Sequence, residues 1–127
     1  MAEPMQLPPQ AQQLLMQMQT FQQQVQAIAI QKDTLNMQKL EFDKALEELK
    51  RTKDGEDVYK AVGPILIKSS KSELVKELSD KLETIEVRLK SLDKQEDKVK
   101  EKLQEGQQQL QQMLMLSGTT KKGKSAE

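Results

Sequence analysis

The side chains on which most catalytic sites depend are missing or poorly placed in this sequence. It contains no His and no Cys. That removes imidazole acid–base chemistry, thiolate nucleophiles, disulfides and the usual zinc ligand sets. Carboxylates such as Asp43, Glu47, Glu86 and Asp93 fall among lysines at helical spacing. This is the pattern of a solvated helix face rather than of a paired acid and base. Gly55 and Gly63 stand singly, so no phosphate-cradling loop is formed. The expectation is a protein that is not an enzyme and needs no cofactor or metal ion. Twenty basic and twenty acidic residues cancel, and aromatics are 2% of the chain. Nucleic-acid binding is disfavoured without a basic stripe or stacking aromatics. No run of about 18 apolar residues and no basic-plus-apolar leader at Met1 suggest a membrane, so a cytoplasmic location is expected.

The chemistry that remains is adhesive. Residues 4–31 and 106–120 carry no Asp, Glu, Lys or Arg, and all the charges lie elsewhere. Eleven Gln fall between positions 6 and 31, and six more between 104 and 112. Six of the seven methionines, at 1, 5, 16, 18, 113 and 115, are in or beside these stretches. Gln hydrogen-bonds in both senses without a charge preference, and Met adapts to irregular apolar shapes. Leu15, Leu114, Met115 and Leu116 add apolar surface. Such a surface suits weak, sequence-tolerant contact with exposed hydrophobic polypeptide. The plainer alternative is a glutamine-rich coiled-coil end that binds nothing.

Two long helices must position these stretches. Heptad positions from 11 to 49 read Ala11, Leu14, Met18, Phe21, Val25, Ile28, Lys32, Leu35, Lys39, Phe42, Leu46 and Leu49. From 75 to 113 they read Val75, Leu78, Leu82, Ile85, Leu89, Leu92, Glu96, Val99, Leu103, Gly106, Leu110 and Met113. Ten of twelve are apolar in each set, the signature of coiled-coil helices. Pro8 and Pro9 suit a helical first turn, Gly55 a left-handed stop, Ser70 with Glu73 a capping box, and Gly118 the end of the second helix. A single apolar seam this long is buried most simply if the helices fold back on each other. Pairing positions whose indices sum to about 124 sets Leu14 against Leu110 and Ile28 against Glu96, which brings the two uncharged stretches side by side. In that register Lys32 lies one turn from the layer opposite Glu96, where an ion pair or solvent snorkelling are both open; Lys39 reads as snorkelling. Gly106 faces Met18, either loosening the helix or leaving room for the Met side chain.

Between the helices the texture changes to Val58-Tyr59-Lys60-Ala61-Val62-Gly63-Pro64-Ile65-Leu66-Ile67-Lys68. Two β-rich runs flank a Gly-Pro break and predict a β-hairpin. An isolated hairpin is marginal in water. Val58, Val62, Ile65, Leu66 and Ile67 are poorly covered there, and open edges pair with other strands. Assembly through these strands into a closed sheet is expected; the alternative is a small capped turn packed on the helix ends. The fold class is therefore mainly α, a long antiparallel two-helix coiled coil with a β-hairpin insert. One domain is expected, with helices at 9–52 and 71–117, the hairpin at 57–69 and a flexible tail at 118–127.

This layout resembles the β subunit of prefoldin, archaeal type. The resemblance is carried by the hairpin sequence, by Glu83-Thr84-Ile85-Glu86-Val87-Arg88-Leu89, and by the opening Pro8-Pro9-Gln10 through Gln22-Gln23-Gln24. It spans roughly residues 7–117. It implies a hetero-hexamer of two α and four β prefoldin subunits whose hairpins join into inter-subunit β-barrels. It further implies ATP-independent capture of unfolded client proteins at the coiled-coil tips and their delivery to a group II chaperonin. Carried onto this sequence, the client-binding positions are Leu14, Leu15, Met16, Met18, Phe21, Leu110, Met113, Leu114, Met115 and Leu116. The assembly positions are Val58, Tyr59, Val62, Ile65, Leu66 and Ile67. Lys121-Lys122-Gly123-Lys124 matches no motif of the family. A structural coiled-coil scaffold or tether without client binding is the competing reading.

Overall fold

Helix formation begins at a proline, where a missing N–H costs nothing. In the computed structural model, which describes residues 7–126 and side chains as far as residue 116, α1 spans Pro9–Arg51. The Gln12 N–H donates to the Pro8 carbonyl at 3.0 Å, so Pro8 caps the helix and Pro9 fills its first position. At the other end the Thr52 N–H donates to the Leu49 carbonyl at 3.1 Å. Gly55 is left-handed, with φ of 88°, but it does not cap the helix directly. It sits in a turn closed by the Glu56 N–H on the Lys53 carbonyl, 3.2 Å, where a positive φ favours glycine.

The hairpin follows as β1, Val58–Val62, and β2, Ile65–Ser69, paired antiparallel with Val62 opposite Ile65. That register leaves a two-residue loop, Gly63-Pro64. Gly63 takes φ of 57°. Pro64 cannot adopt a positive φ, which excludes a type I′ turn and leaves the II′ geometry with Gly first.

The second helix, α2, spans Lys71–Ala126. Ser70 is its N-cap: its Oγ accepts from the Glu73 N–H at 3.2 Å. The reciprocal half of the expected capping box differs, because the Glu73 carboxylate accepts from the Ser69 hydroxyl at 3.3 Å. The helix also continues through Gly118, where the sequence reads a stop and a flexible tail. One glycine costs a helix only about 1 kcal/mol relative to Ala, and no proline follows it. The side chains of Lys121, Lys122 and Lys124, like Met1 and Met5, lie outside the described residues.

The chain divides into two units. One contains Met1–Ala29 and Lys94–Glu127; the other contains Ile30–Asp93. Each holds six seam positions from α1 and six from α2, and none of these twenty-four residues is exposed. In the first unit Ala11, Leu14, Met18 and Ile28 are buried, together with Gly106. In the second the buried residues are Leu35, Ile85 and Leu92. In a core one seam wide most side chains are buried incompletely: Ala11 is fully enclosed, and the larger buried residues keep some exposure. Burial of an aliphatic side chain contributes about 1.5–3 kcal/mol at most, so stability here is a sum of many similar layers.

Candidate functional site

The hairpin presents an apolar surface that the chain does not cover. On a two-stranded sheet packed on one side, exposure should alternate along each strand. Ile65, Leu66, Ile67 and Lys68 of β2 are all exposed in succession, with Leu66 at 72%. Val62, Ile65 and Ile67 share one face; Tyr59, Ala61 and Leu66 share the other. Both faces therefore carry open hydrophobic side chains. Of the expected assembly residues, Val58 is half-buried and Tyr59, Val62, Ile65, Leu66 and Ile67 are exposed. Among the described residues the sheet has two strands, so each strand leaves one edge unpaired.

Charged groups hold the base of this hairpin. Lys60 Nζ bonds Glu77 Oε1 of α2 at 2.5 Å, and Lys81 lies 3.4 Å from the same oxygen. The Lys60 bond, reinforced by the two ammonium charges, lowers the Glu77 pKa from its ordinary value although partial desolvation opposes it. Lys71 Nζ donates to the Thr52 carbonyl at 2.8 Å and approaches Asp54 at 3.6 Å. Lys68 reaches Asp57 at 3.2 Å. A hollow of about 440 Å³ lies between hairpin and helices, lined by Phe42, Leu49, Tyr59, Ala61, Leu74 and Leu78 among others.

The same unit explains two polar seam positions. Lys32 Nζ lies 2.6 Å from Asp93 Oδ1. Lys39 keeps its stem in the seam and places its ammonium 3.8 Å from Glu86 Oε1. Both lysines snorkel to an interhelical carboxylate at the seam's margin. Lys81 also lies 5.7 Å from the centre of the Phe42 ring, a cation–π contact that shields the seam.

The unit that contains the two uncharged stretches is built differently. Gly106 is buried against Met18 and Leu14: a Cβ added to it would stand 3.0 Å from Met18 Cγ, 3.4 Å from Met18 Sδ and 3.7 Å from Leu14 Cδ1. Glycine here is a notch into which Met18 packs. Leu14 and Met18 are consequently sealed in the seam, and of the ten expected client-binding residues these two are not available at the surface. Leu15, Phe21, Leu110 and Met113 are half-buried. Lys102 Nζ caps the Phe21 ring at 5.7 Å. Met16, Leu114, Met115 and Leu116 are exposed. The structure thus separates a supporting row from a presented row, a distinction that residue type alone does not make.

Sequence reasoning passed over a further apolar row. Ile30, Met37 and Leu40 are exposed on one face of α1 in the hairpin unit, and Val87 is exposed on α2. The signal was available: these positions are apolar although they fall outside the heptad seam. Among the described residues no group of three or more acidic side chains is placed to hold a metal ion. No described helix is long and apolar enough to cross a membrane.

These features recur in known proteins. The family described as prefoldin subunit matches residues 12–116. The prefoldin subunit beta of Archaeoglobus fulgidus is 47% identical over 90 residues, covering 71% of this chain and 78% of that protein. That of Thermococcus onnurineus is 42% identical over the same length and shares of the two chains. The crystal structure of the prefoldin beta subunit from Thermococcus strain KS-1 superposes with a TM-score of 0.77 at 42% identity, over 84% of this chain and 94% of that one. The beta2 subunit from the same strain, at 19% identity and a TM-score of 0.64, shares the fold. Two long helices, a β-hairpin between them and relatives this similar along most of the chain leave one assignment: the protein belongs to the prefoldin subunit family.

Proposed function

We propose that this chain is a prefoldin β-type chaperone subunit that captures unfolded proteins, without ATP, at the uncharged end of its coiled coil. It works in the cytoplasm and passes its clients to a group II chaperonin. It assembles through Tyr59, Val62, Ile65, Leu66 and Ile67 with an α-type prefoldin subunit and further β subunits, two α and four β, their hairpins closing inter-subunit β-barrels. The observation that carries the capture reading is the exposure of Met16, Leu114, Met115 and Leu116 on a unit whose neighbouring stretches hold no charge. An unfolded chain of any charge meets no electrostatic veto there, and several arms binding weakly together raise avidity without a tight site.

The test replaces Met16, Leu114, Met115 and Leu116 together by Ser in the assembled protein. Light scattering from a chemically denatured enzyme diluted into buffer should then rise to the level seen without chaperone, while native mass is unchanged. Full protection by this variant overturns capture at this surface. A parent protein that assembles but never suppresses scattering supports a scaffold without clients.

A further inference from the structure

Sulfur chemistry in this chain is confined to thioethers, since there is no Cys among its residues. Met16 and Met115 are 68% and 63% exposed, each within one of the two uncharged stretches. Met18, two residues along the same helix from Met16, is 7% exposed and packs on Gly106. Met37, on the hairpin unit, is 67% exposed. The molecule therefore offers open thioethers in the stretches proposed for capture, a closed one beside Met16 in sequence, and an open one in the other unit.

We propose that Met16 and Met115 are sites of reversible oxidation through which a peroxide-class oxidant weakens client capture. This rests on the reading that the uncharged surface holds unfolded chain. The sulfur lone pair attacks one peroxide oxygen, the S–O bond forms as the O–O bond breaks, and the departing hydroxide takes up the peroxide's remaining proton as water. The sulfur is oxidised by two electrons and the peroxide is reduced by two. The product is a strongly dipolar sulfoxide. Burying that dipole under an apolar client segment costs free energy unless it is hydrogen-bonded, whereas the thioether it replaces was suited to burial. Oxidation at the open sites spares the seam, because the Met18 sulfur is closed off by Gly106 and the helix pair stays intact.

The assembled protein is treated with hydrogen peroxide, the excess is removed with catalase, and sulfoxides are mapped by fragmentation mass spectrometry. Fragment ladders are required because residues 4–31 contain no Lys or Arg, so trypsin leaves Met16 and Met18 on one peptide. Met16, Met115 and Met37 should oxidise ahead of Met18. Suppression of scattering should fall about fivefold and return after methionine sulfoxide reductase with a thiol reductant. A Met16→Leu, Met115→Leu protein, whatever its starting level, should hold the same level before and after peroxide. A Met37→Leu protein should lose capture on oxidation as the parent does. Equal oxidation of Met18 and Met16 overturns the proposal, as does undiminished capture by protein fully oxidised at Met16 and Met115. Peroxide-sensitive capture in the double Leu variant overturns it too. A reduced parent that captures nothing overturns the underlying reading and this inference together; a reduced parent that captures but ignores peroxide overturns this inference alone.

Discussion

Each unit has a seam of its own, and what surrounds that seam differs between them. In Ile30–Asp93 the seam is flanked by the interhelical pairs Lys32–Asp93 and Lys39–Glu86, and the hairpin is tied down by Lys60–Glu77. In the other unit the paired uncharged stretches depend on shape, with Met18 and Leu14 packed on Gly106. Charge specifies register and tethers the hairpin in one unit. In the other, Gly106 receives Met18 in a notch, and residues 4–31 and 106–120 hold no charge, while charged residues of that unit lie in 94–105. Under the function proposed above, contact stretches without fixed charges would not select among clients by their charge.

The largest effect expected from breaking this contrast is on assembly. Ile67→Asp places a charge on an exposed hairpin face and should reduce the sedimentation coefficient to that of a smaller species. An unchanged profile would show that the strands are not the assembly surface. Next is the seam. Leu35→Ala, at one of the most buried positions of the hairpin unit, should lower thermal or urea stability by about 2–3 kcal/mol through lost contacts and a residual cavity. In the unit that contains the uncharged stretches, Gly106→Leu should cost about 1–3 kcal/mol by overfilling the notch, read by faster amide exchange in 11–21 and 103–113 with Val58–Ser69 unaffected. If exchange changed equally everywhere, Gly106 would have no local role.

A smaller effect concerns pH. The Glu77 pKa is lowered in the folded protein, so the group's stabilising contribution is fully present above its ordinary value of 4.5. It fades as pH falls below that value and through the lower folded one. The amide shift of Lys60 should move through that acidic range in the parent and move less in Glu77→Gln. The smallest effect belongs to the solvent-screened pair at 3.8 Å: Glu86→Gln, which leaves the Lys39 stem in the seam, should change stability by no more than about 0.5 kcal/mol, less still at high salt.

Much of the architecture was legible in order of residues. Heptad spacing identifies a seam whose every position is covered, because a helix fixes which side chains share a face. Gly63-Pro64 specifies the hairpin turn through backbone sterics alone. The cap at Ser70 is similarly local. Gly118 misled because glycine weakens a helix without ending it.

Sequence by itself determined the helical pairing, the hairpin and the segregation of charge, since each follows from local sterics or from periodicity. Tertiary structure decided which apolar residues are presented. Leu14 and Met16 are chemically interchangeable as candidates, yet one is sealed against Gly106 and the other faces solvent. It also decided that Lys32 meets Asp93, Lys39 meets Glu86 and Lys60 meets Glu77, and that both faces of the hairpin are open. The physical reason is that exposure and ion pairing depend on where a second helix lies, to within an ångström or so, and heptad spacing specifies the facing stripe but not the side chain that each neighbour admits.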